Sequence, residues 1–190
     1  MGDSSTVLYF VRHAESAYVP NQEVERGLTT QGYDQSEQVS TILEPYDIDV
    51  VVSSPYTRAV ETVKPLADAL GTNVIIENGF RERELHHVED FEATVNRQWQ
   101  DWTRSFGSGE SHDSAQQRGL KAVERTRKRW PGLDIVVGTH GTILTLILNH
   151  YNDAYDYAFW KQMTMPDIYR VVFRVTDSVS IDRIHPRTDS

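Results

Sequence analysis

Val7-Leu8-Tyr9-Phe10-Val11 is an unbroken apolar run of strand length, and it decides the fold class because it has counterparts. Asp49-Val50-Val51-Val52 and Asp134-Ile135-Val136-Val137 share its wealth of β-branched residues, and Val74-Ile75-Ile76 is a shorter fourth. A short apolar run without polar alternation is the pattern of a strand covered on both faces. Helical patterns lie between these runs, over residues 29–43, 55–70 and 114–130. Strands alternating with helices of this length predict βαβ units, hence a three-layer αβα sandwich around a mostly parallel central sheet. Residues 168–175 and 179–184 flank Thr176-Asp177-Ser178 and predict an antiparallel pair at one end of that sheet.

The chain has 190 residues, enough for one domain with its own core. Residues 1–190 are expected to form that single domain, with a helical insertion over about residues 83–113. Within the insertion Phe91, Val95, Trp99, Trp102 and Phe106 form one apolar stripe, which predicts an amphipathic helix over residues 90–106 that packs on the core or caps a site. No cysteine is present, which excludes disulfides, thiolate metal sites and a cysteine nucleophile. Lys and Arg total 19 against 28 for Asp and Glu, a net charge of −9 that argues against a nucleic-acid partner. No apolar run approaches the ~20 residues of a membrane span. Met1-Gly2-Asp3-Ser4-Ser5-Thr6 fits a myristoylation pattern but reads more simply as a loose polar start, and the expected setting is cytoplasmic with no membrane partner.

Parallel α/β sheets bind ligands beyond the carboxyl ends of their strands. The first strand delivers Arg12-His13-Ala14-Glu15 to that edge, the second Ser53-Ser54-Pro55 and then Arg58, and the strand ending at Val137 delivers Gly138-Thr139-His140-Gly141. Two histidines and two arginines are thereby aimed at one mouth. Ser54 reads as a helix N-cap with Pro55 at the first helical position. Arg58 then lies in the first turn, where the helix dipole disfavours a cation unless it shares a bound anion or pairs with Glu61 or Asp34. Arginines orient phosphoryl oxygens, a neutral imidazole can attack phosphorus, and a second histidine can stabilise charge on the transferring group. A general acid for the leaving alcohol would come from Glu82 or Glu84, in Phe80-Arg81-Glu82-Arg83-Glu84-Leu85.

An ordered set of segments resembles the histidine phosphatase superfamily, the phosphoglycerate-mutase-like proteins, over nearly the whole chain. Arg12-His13-Ala14-Glu15-Ser16 is similar to R-H-G-E-S/T, residues 28–35 to L-T-x-x-G-x-x-Q, and residues 53–62 to S-S-P-x-x-R-A-x-Q/E-T. Phe80-Arg81-Glu82 stands for L-R-E, Gly109-Glu110-Ser111 for G-E-S, and Thr139-His140-Gly141 for S/T-H-G. The resemblance implies His13 as the phosphorylated nucleophile and Glu82 as proton donor and later base. It also implies a phosphate pocket of Arg12, His13, Arg58, His140 and Gly141, with no metal and no cofactor. The implied activity is hydrolysis of a small phosphorylated substrate through a phosphohistidine. A phosphoglycerate mutase-type transferase and a non-catalytic phosphate-binding module are the alternatives.

The chain departs from the family pattern at several points. Ala14 replaces a glycine, so the turn after His13 must avoid positive φ. Val19 stands where many relatives carry an asparagine, with Asn21 two residues later. His86, His87, Glu89 and Asp90 replace a G-x-x-E-G tract, and the two histidines read either as lining the mouth or as surface residues. Arg125, Arg127, Lys128 and Arg129 read as a solvated helix face, Ile143, Leu144, Ile147 and Leu148 as core, and Tyr151, Tyr155, Tyr157, Phe159 and Trp160 as packing or an interface. The sequence leaves the oligomeric state open.

Overall fold

The computed structural model describes residues 5–85, 90–176 and 178–185; His86, His87, Glu89 and the first four residues of the myristoylation pattern lie outside them. Strand β1 (Thr6–Arg12) runs through the middle of a six-stranded sheet, parallel to β4 (Asp134–Thr139) on one side. Beyond β4 the parallel set continues with β2 (Val50–Ser53) and the two-residue β3 (Ile75–Ile76). On its other side β1 pairs antiparallel with β5 (Asp167–Phe173), which pairs with β6 (Val179–Ile184), giving the order β3-β2-β4-β1-β5-β6. The expected mostly parallel sheet with an antiparallel end is what the chain forms.

Alternation along β1 explains the layering. Leu8 and Phe10 join one buried cluster, and Val7, Tyr9 and Val11 join another. The first cluster is closed by α4 (His112–Arg129) and α5 (Gly141–Tyr151), through Ala115, Ala122, Val123, Ile143, Leu144 and Ile147. The second is closed by α1 (Thr30–Leu43) and α2 (Thr57–Ala69), through Val39, Leu43, Val63 and Leu66. Each buried Val, Leu, Ile or Phe side chain contributes about 1.5–3 kcal/mol by leaving water, which is why both faces of the sheet must be covered.

Local signals set most helix starts. Thr29 caps α1 by accepting the Gly32 N–H at 3.0 Å, and Ser111 caps α4 through Ser114. The α4 cations are largely engaged: Arg125 pairs with Glu77, Lys128 with Glu124, and Arg127 lies 4.2 Å from the Phe173 ring centroid. Two expectations need correction. Helix α2 starts at Thr57 with Tyr56 as its cap residue, two positions later than read, and the Ser54 hydroxyl meets His140 while accepting the Tyr56 N–H. The insertion helix α3 (Phe91–Gln100) stops short of residue 106, because the Asp101 carboxylate accepts both the N–H and the hydroxyl of Thr103 and turns the chain. Trp102 is therefore outside the helix yet still packs on the core. No helix among the described residues is long and apolar enough to cross a membrane.

Candidate active site

Strand register brings the chemistry together. Arg12 pairs with Thr139, and Ser53 with Gly138, so β1, β4 and β2 release their chains side by side. His13 follows directly and donates its backbone N–H to Thr139 O at 2.9 Å. The His13 and His140 rings meet edge to face with centroids 5.3 Å apart. Tyr56 packs on His140 at 4.9 Å, and the Arg58 guanidinium lies 5.0 Å from the Tyr56 ring centroid. Gly141 packs on Arg12 so closely that a Cβ there would stand 3.0 Å from Arg12 Nε. Arg12, His13, Arg58, His140 and Gly141 therefore lie together.

His13 is buried, and its Nδ1 lies 2.8 Å from the Ala14 carbonyl oxygen. A carbonyl only accepts, so the proton is on Nδ1 and Nε2 keeps its lone pair. Burial, then the charge of Arg58, then those of Arg12 and Arg26, push the His13 pKa down to about 3, partly offset by the Ala14 bond. The ring is neutral and nucleophilic throughout the physiological range. Ala14 is itself held: its N–H donates to Thr62 Oγ1, and Thr62 donates to Arg58 O, so one hydroxyl links the loop after His13 to α2. Ala14 does not adopt positive φ, as its replacement of glycine requires; among the described non-glycine residues only Asn21 does.

His140 is fully buried, and its pKa is held well below the usual value by burial and by the His13 and Arg58 charges. Ser54 Oγ lies 2.7 Å from His140 Nε2 and accepts the Tyr56 N–H at 3.3 Å. The serine proton then has the imidazole as its acceptor, which places the His140 proton on Nδ1. That Nδ1 is buried and unpartnered, as are Arg12 Nε and Arg58 Nε. Three buried donors beside the free His13 Nε2 are what an oxyanion needs.

The arginines are aimed by backbone. Arg12 Nη1 donates to Met163 O at 2.9 Å and Thr164 O at 3.2 Å. That segment is fixed in turn by Asp167, which accepts the Thr164 N–H and pairs with Arg183 at 2.8 and 2.9 Å. Arg58 donates to Glu23 O and lies 3.8 Å from the Glu23 carboxylate; the alternative partner Glu61 instead accepts from Leu28 N–H and Tyr33 OH. Burial lowers the Arg58 pKa to about 10, with Arg26 the next cause. The Glu82 carboxylate accepts the Thr142 and Ile143 N–H groups at the start of α5, next to His140. Glu84 instead reaches out to Arg81.

Sequence reasoning missed Arg26, Ser54 as a histidine partner, Tyr56 and Thr62. Arg26 holds Ser16 Oγ at 2.6 Å and shares Glu23 with Arg58, and its charge acts on both histidines. Its only signal is position, just before Leu28, which forms an antiparallel bridge with Ser16 and so folds the 17–27 loop back on the segment that follows β1. Asn21 is an exposed turn residue at φ 60°, with no side-chain hydrogen bond among the described residues. Glu110 explains Gly109-Glu110-Ser111: it grips Arg118 at 2.7 Å through both oxygens, while Arg118 holds the carbonyls of Gly79 and Arg81 beneath Glu82.

A family model described as the histidine phosphatase superfamily (branch 1) matches residues 8–179. A protein named as phosphoserine phosphatase 2 of Hydrogenobacter thermophilus is 30% identical over 86 residues, 43% of this chain and 42% of that one. The chain thus spans less than half the length of that relative. One named as a phosphoglycerate mutase of Proteus mirabilis is 26% identical over 148 residues, covering 75% of this chain and 68% of the relative. Among solved structures, a mycobacterial glucosyl-3-phosphoglycerate phosphatase superposes with a TM-score of 0.77 at 16% identity, over 97% of this chain and 100% of that one. The Entamoeba histolytica phosphoserine phosphatase, in complex with phosphoserine, gives 0.77 at 17% identity over 96% and 98%. At such identities these likenesses establish the fold.

Proposed function

The chain belongs to the histidine phosphatase superfamily, branch 1, and from that premise we propose that it hydrolyses small phosphomonoesters through phosphorylated His13. The observation that carries this reading is the His13 ring itself: Nδ1–H is tied to Ala14 O, and Nε2 is left free beside His140 and the guanidinium groups. In the first step Nε2 forms a bond to phosphorus as the ester P–O bond breaks, and Glu82 gives a proton to the departing alcohol. Arg12, Arg58 and His140 Nδ1–H take the three phosphoryl oxygens, with Gly141 letting Arg12 approach. In the second step Glu82 takes a proton from water, the water oxygen bonds to phosphorus, and the P–N bond breaks to release phosphate and neutral His13. Arg26 adds positive charge behind Arg58. The reading assigns residues 1–190 to one unit, with the segment around 83–113 covering the leaving-group side, in a cytoplasmic setting.

Rapid mixing with p-nitrophenyl phosphate tests it. The expected result is a burst of nitrophenol stoichiometric with enzyme and an acid-labile, alkali-stable phosphoenzyme, both abolished in His13→Ala. Equal turnover by His13→Ala would overturn the mechanism.

A further inference from the structure

Tyr56 stands among the reacting groups yet has no task in the chemistry above. It falls on the first variable position of S-S-P-x-x-R-A-x-Q/E-T, so the likeness of residues 53–62 to that pattern implies nothing about it. Its backbone is fixed: the N–H donates to Ser54 Oγ at 3.3 Å, and the carbonyl accepts the Ala59 and Val60 N–H groups at 2.9 and 3.1 Å. The ring is fixed as well, edge to face with His140 at 4.9 Å and with the Arg58 guanidinium 5.0 Å from its centroid. Ser54 and His140 around it are sealed, whereas Tyr56 keeps 8% exposure, so water reaches it. Its hydroxyl makes no hydrogen bond to a described residue, whereas those of Tyr9, Tyr33 and Tyr169 donate to Asp134, Glu61 and Asp167. After burial, the charges that act on that hydroxyl are those of Glu82 and Glu84, then Arg58 and Arg81. It therefore stands where the acid–base carboxylate and a phosphate-binding guanidinium meet.

A nearly buried phenol without a partner, in a site otherwise wired by hydrogen bonds, is placed to bond something that arrives. We propose that Tyr56 is a further catalytic residue, whose hydroxyl oxygen accepts a hydrogen bond from the water that attacks phosphorylated His13. That water carries two protons and two lone pairs. Glu82 takes one proton, and one lone pair forms the new P–O bond while the electrons of the breaking P–N bond return to His13 Nε2. The second proton stays on the oxygen and departs with the phosphate; unless a group holds it, the water can turn its lone pair off the line of attack. The Glu82 oxygens already accept the Thr142 and Ile143 N–H groups, which fixes the carboxylate and leaves the second proton to another acceptor. Burial and the two carboxylates raise the Tyr56 pKa, so the phenol is neutral and offers a lone pair without adding a charge that would repel the phosphoryl group. In ester cleavage the leaving oxygen carries carbon where this proton would be, so the role belongs to the hydrolytic step.

The role rests on the phosphohistidine reading, and the two fail in different ways. Tyr56→Phe keeps a ring against His140 and Arg58 and removes only the hydroxyl. Wild type and variant are compared on p-nitrophenyl phosphate in methanol–water mixtures, with thermal melts to confirm folding. Methanol has a single O–H, whose proton Glu82 takes, and so has no second proton for Tyr56. Phosphorus NMR of the products is expected to show a ratio of methyl phosphate to inorganic phosphate about tenfold higher in the variant, the effect of one net hydrogen bond lost from attack by water alone. Phosphoenzyme isolated after brief mixing should likewise lose its phosphate to water about tenfold more slowly in the variant. A product ratio within about twofold of wild type, or decay of the variant's phosphoenzyme at the wild-type rate, would overturn the role, because a ring that only packs on His140 would affect both nucleophiles alike. Where methanol captures no phosphoryl group in either protein, the decay rate decides. A wild type that forms no phosphoenzyme would overturn the His13 reading itself, and the role with it.

Discussion

Replacing Ser54 by alanine removes one oxygen from a place where the structure gives it two jobs. Its hydroxyl meets His140 Nε2 at 2.7 Å and accepts the Tyr56 N–H at 3.3 Å, and both Ser54 and His140 are fully buried. No solvent is at hand to replace the lost partner, so the orphaned imidazole nitrogen costs about 1–3 kcal/mol. In a chain of this length each kcal/mol moves the melting temperature by about 2–4 °C, so a drop of about 2–12 °C is expected. The kinetic effect should be larger than that loss suggests. Ser54 fixes the neutral His140 tautomer with its proton on Nδ1; without it Nδ1 can present a lone pair to the phosphoryl oxygens instead of a proton. Losing one such donor outright costs about 10²–10³ in kcat, and because the ring can re-tautomerise on binding we expect about 10–100-fold. Stopped-flow measurement of phosphoenzyme formation from p-nitrophenyl phosphate reads the step directly, with thermal melts to confirm folding. A Ser54→Ala protein that melts lower yet forms phosphoenzyme within twofold of the wild-type rate would refute the reasoning, leaving Ser54 a packing residue.

Acid stability should be poor for a stated reason. His13 and His112 have native pKa values pulled down to about 3, and His140 is also depressed. In the unfolded chain they titrate near 6.5, so between about pH 6.5 and 3 the unfolded state binds more protons, and stability falls as pH falls, by about 1.4 kcal/mol per pH unit for each histidine. Chemical denaturation from pH 7 to 5 should show this slope, and His112→Gln should make it shallower by about one proton; an unchanged slope would contradict the assignment. Glu82→Gln should slow turnover of alkyl phosphates, whose leaving groups need a proton, much more than that of p-nitrophenyl phosphate, and equal losses on both would remove Glu82 from the acid role. Gly32→Ala would place a Cβ 2.0 Å from the backbone oxygen of Glu15, so α1 and the loop after His13 must separate; a melting temperature within 1 °C of wild type would show that the packing there is looser than described.

Much of this was legible because the relevant residues sit at strand ends. An apolar run that stops at Val11 and is followed by Arg12-His13 specifies both a buried strand and what it delivers, since the first strand residue past the core is the first at the sheet's edge. The same logic read Thr139-His140-Gly141 from β4. Gly32 and Gln35 of the 28–35 segment acquire a physical meaning only in three dimensions: Gly32 lets α1 touch Glu15 O, and Gln35 accepts the Glu15 N–H. What stayed hidden were long-range choices of partner. Ser54 had the right chemistry for a cap, and only the closeness of His140, 86 positions along the chain, shows that its hydroxyl is used otherwise. Arg26 lies in a loop with no periodicity to read, so nothing local reveals that it doubles back toward Arg58. Asp101 ended the insertion helix through a side-chain turn that an apolar stripe running to Phe106 masked.

The grip on Arg12 by the carbonyls of Met163 and Thr164 has a temporal meaning. Residue 12 leaves the ribosome about 150 residues ahead of its anchors, and Asp167, which steadies them, meets Arg183 only when β6 is made. A nascent chain can therefore fold its parallel strands and expose His13 long before the first guanidinium is aimed. Arg12 is fully braced only once β6 is in place, and chains shortened to lack β6 are expected to hold its guanidinium less firmly.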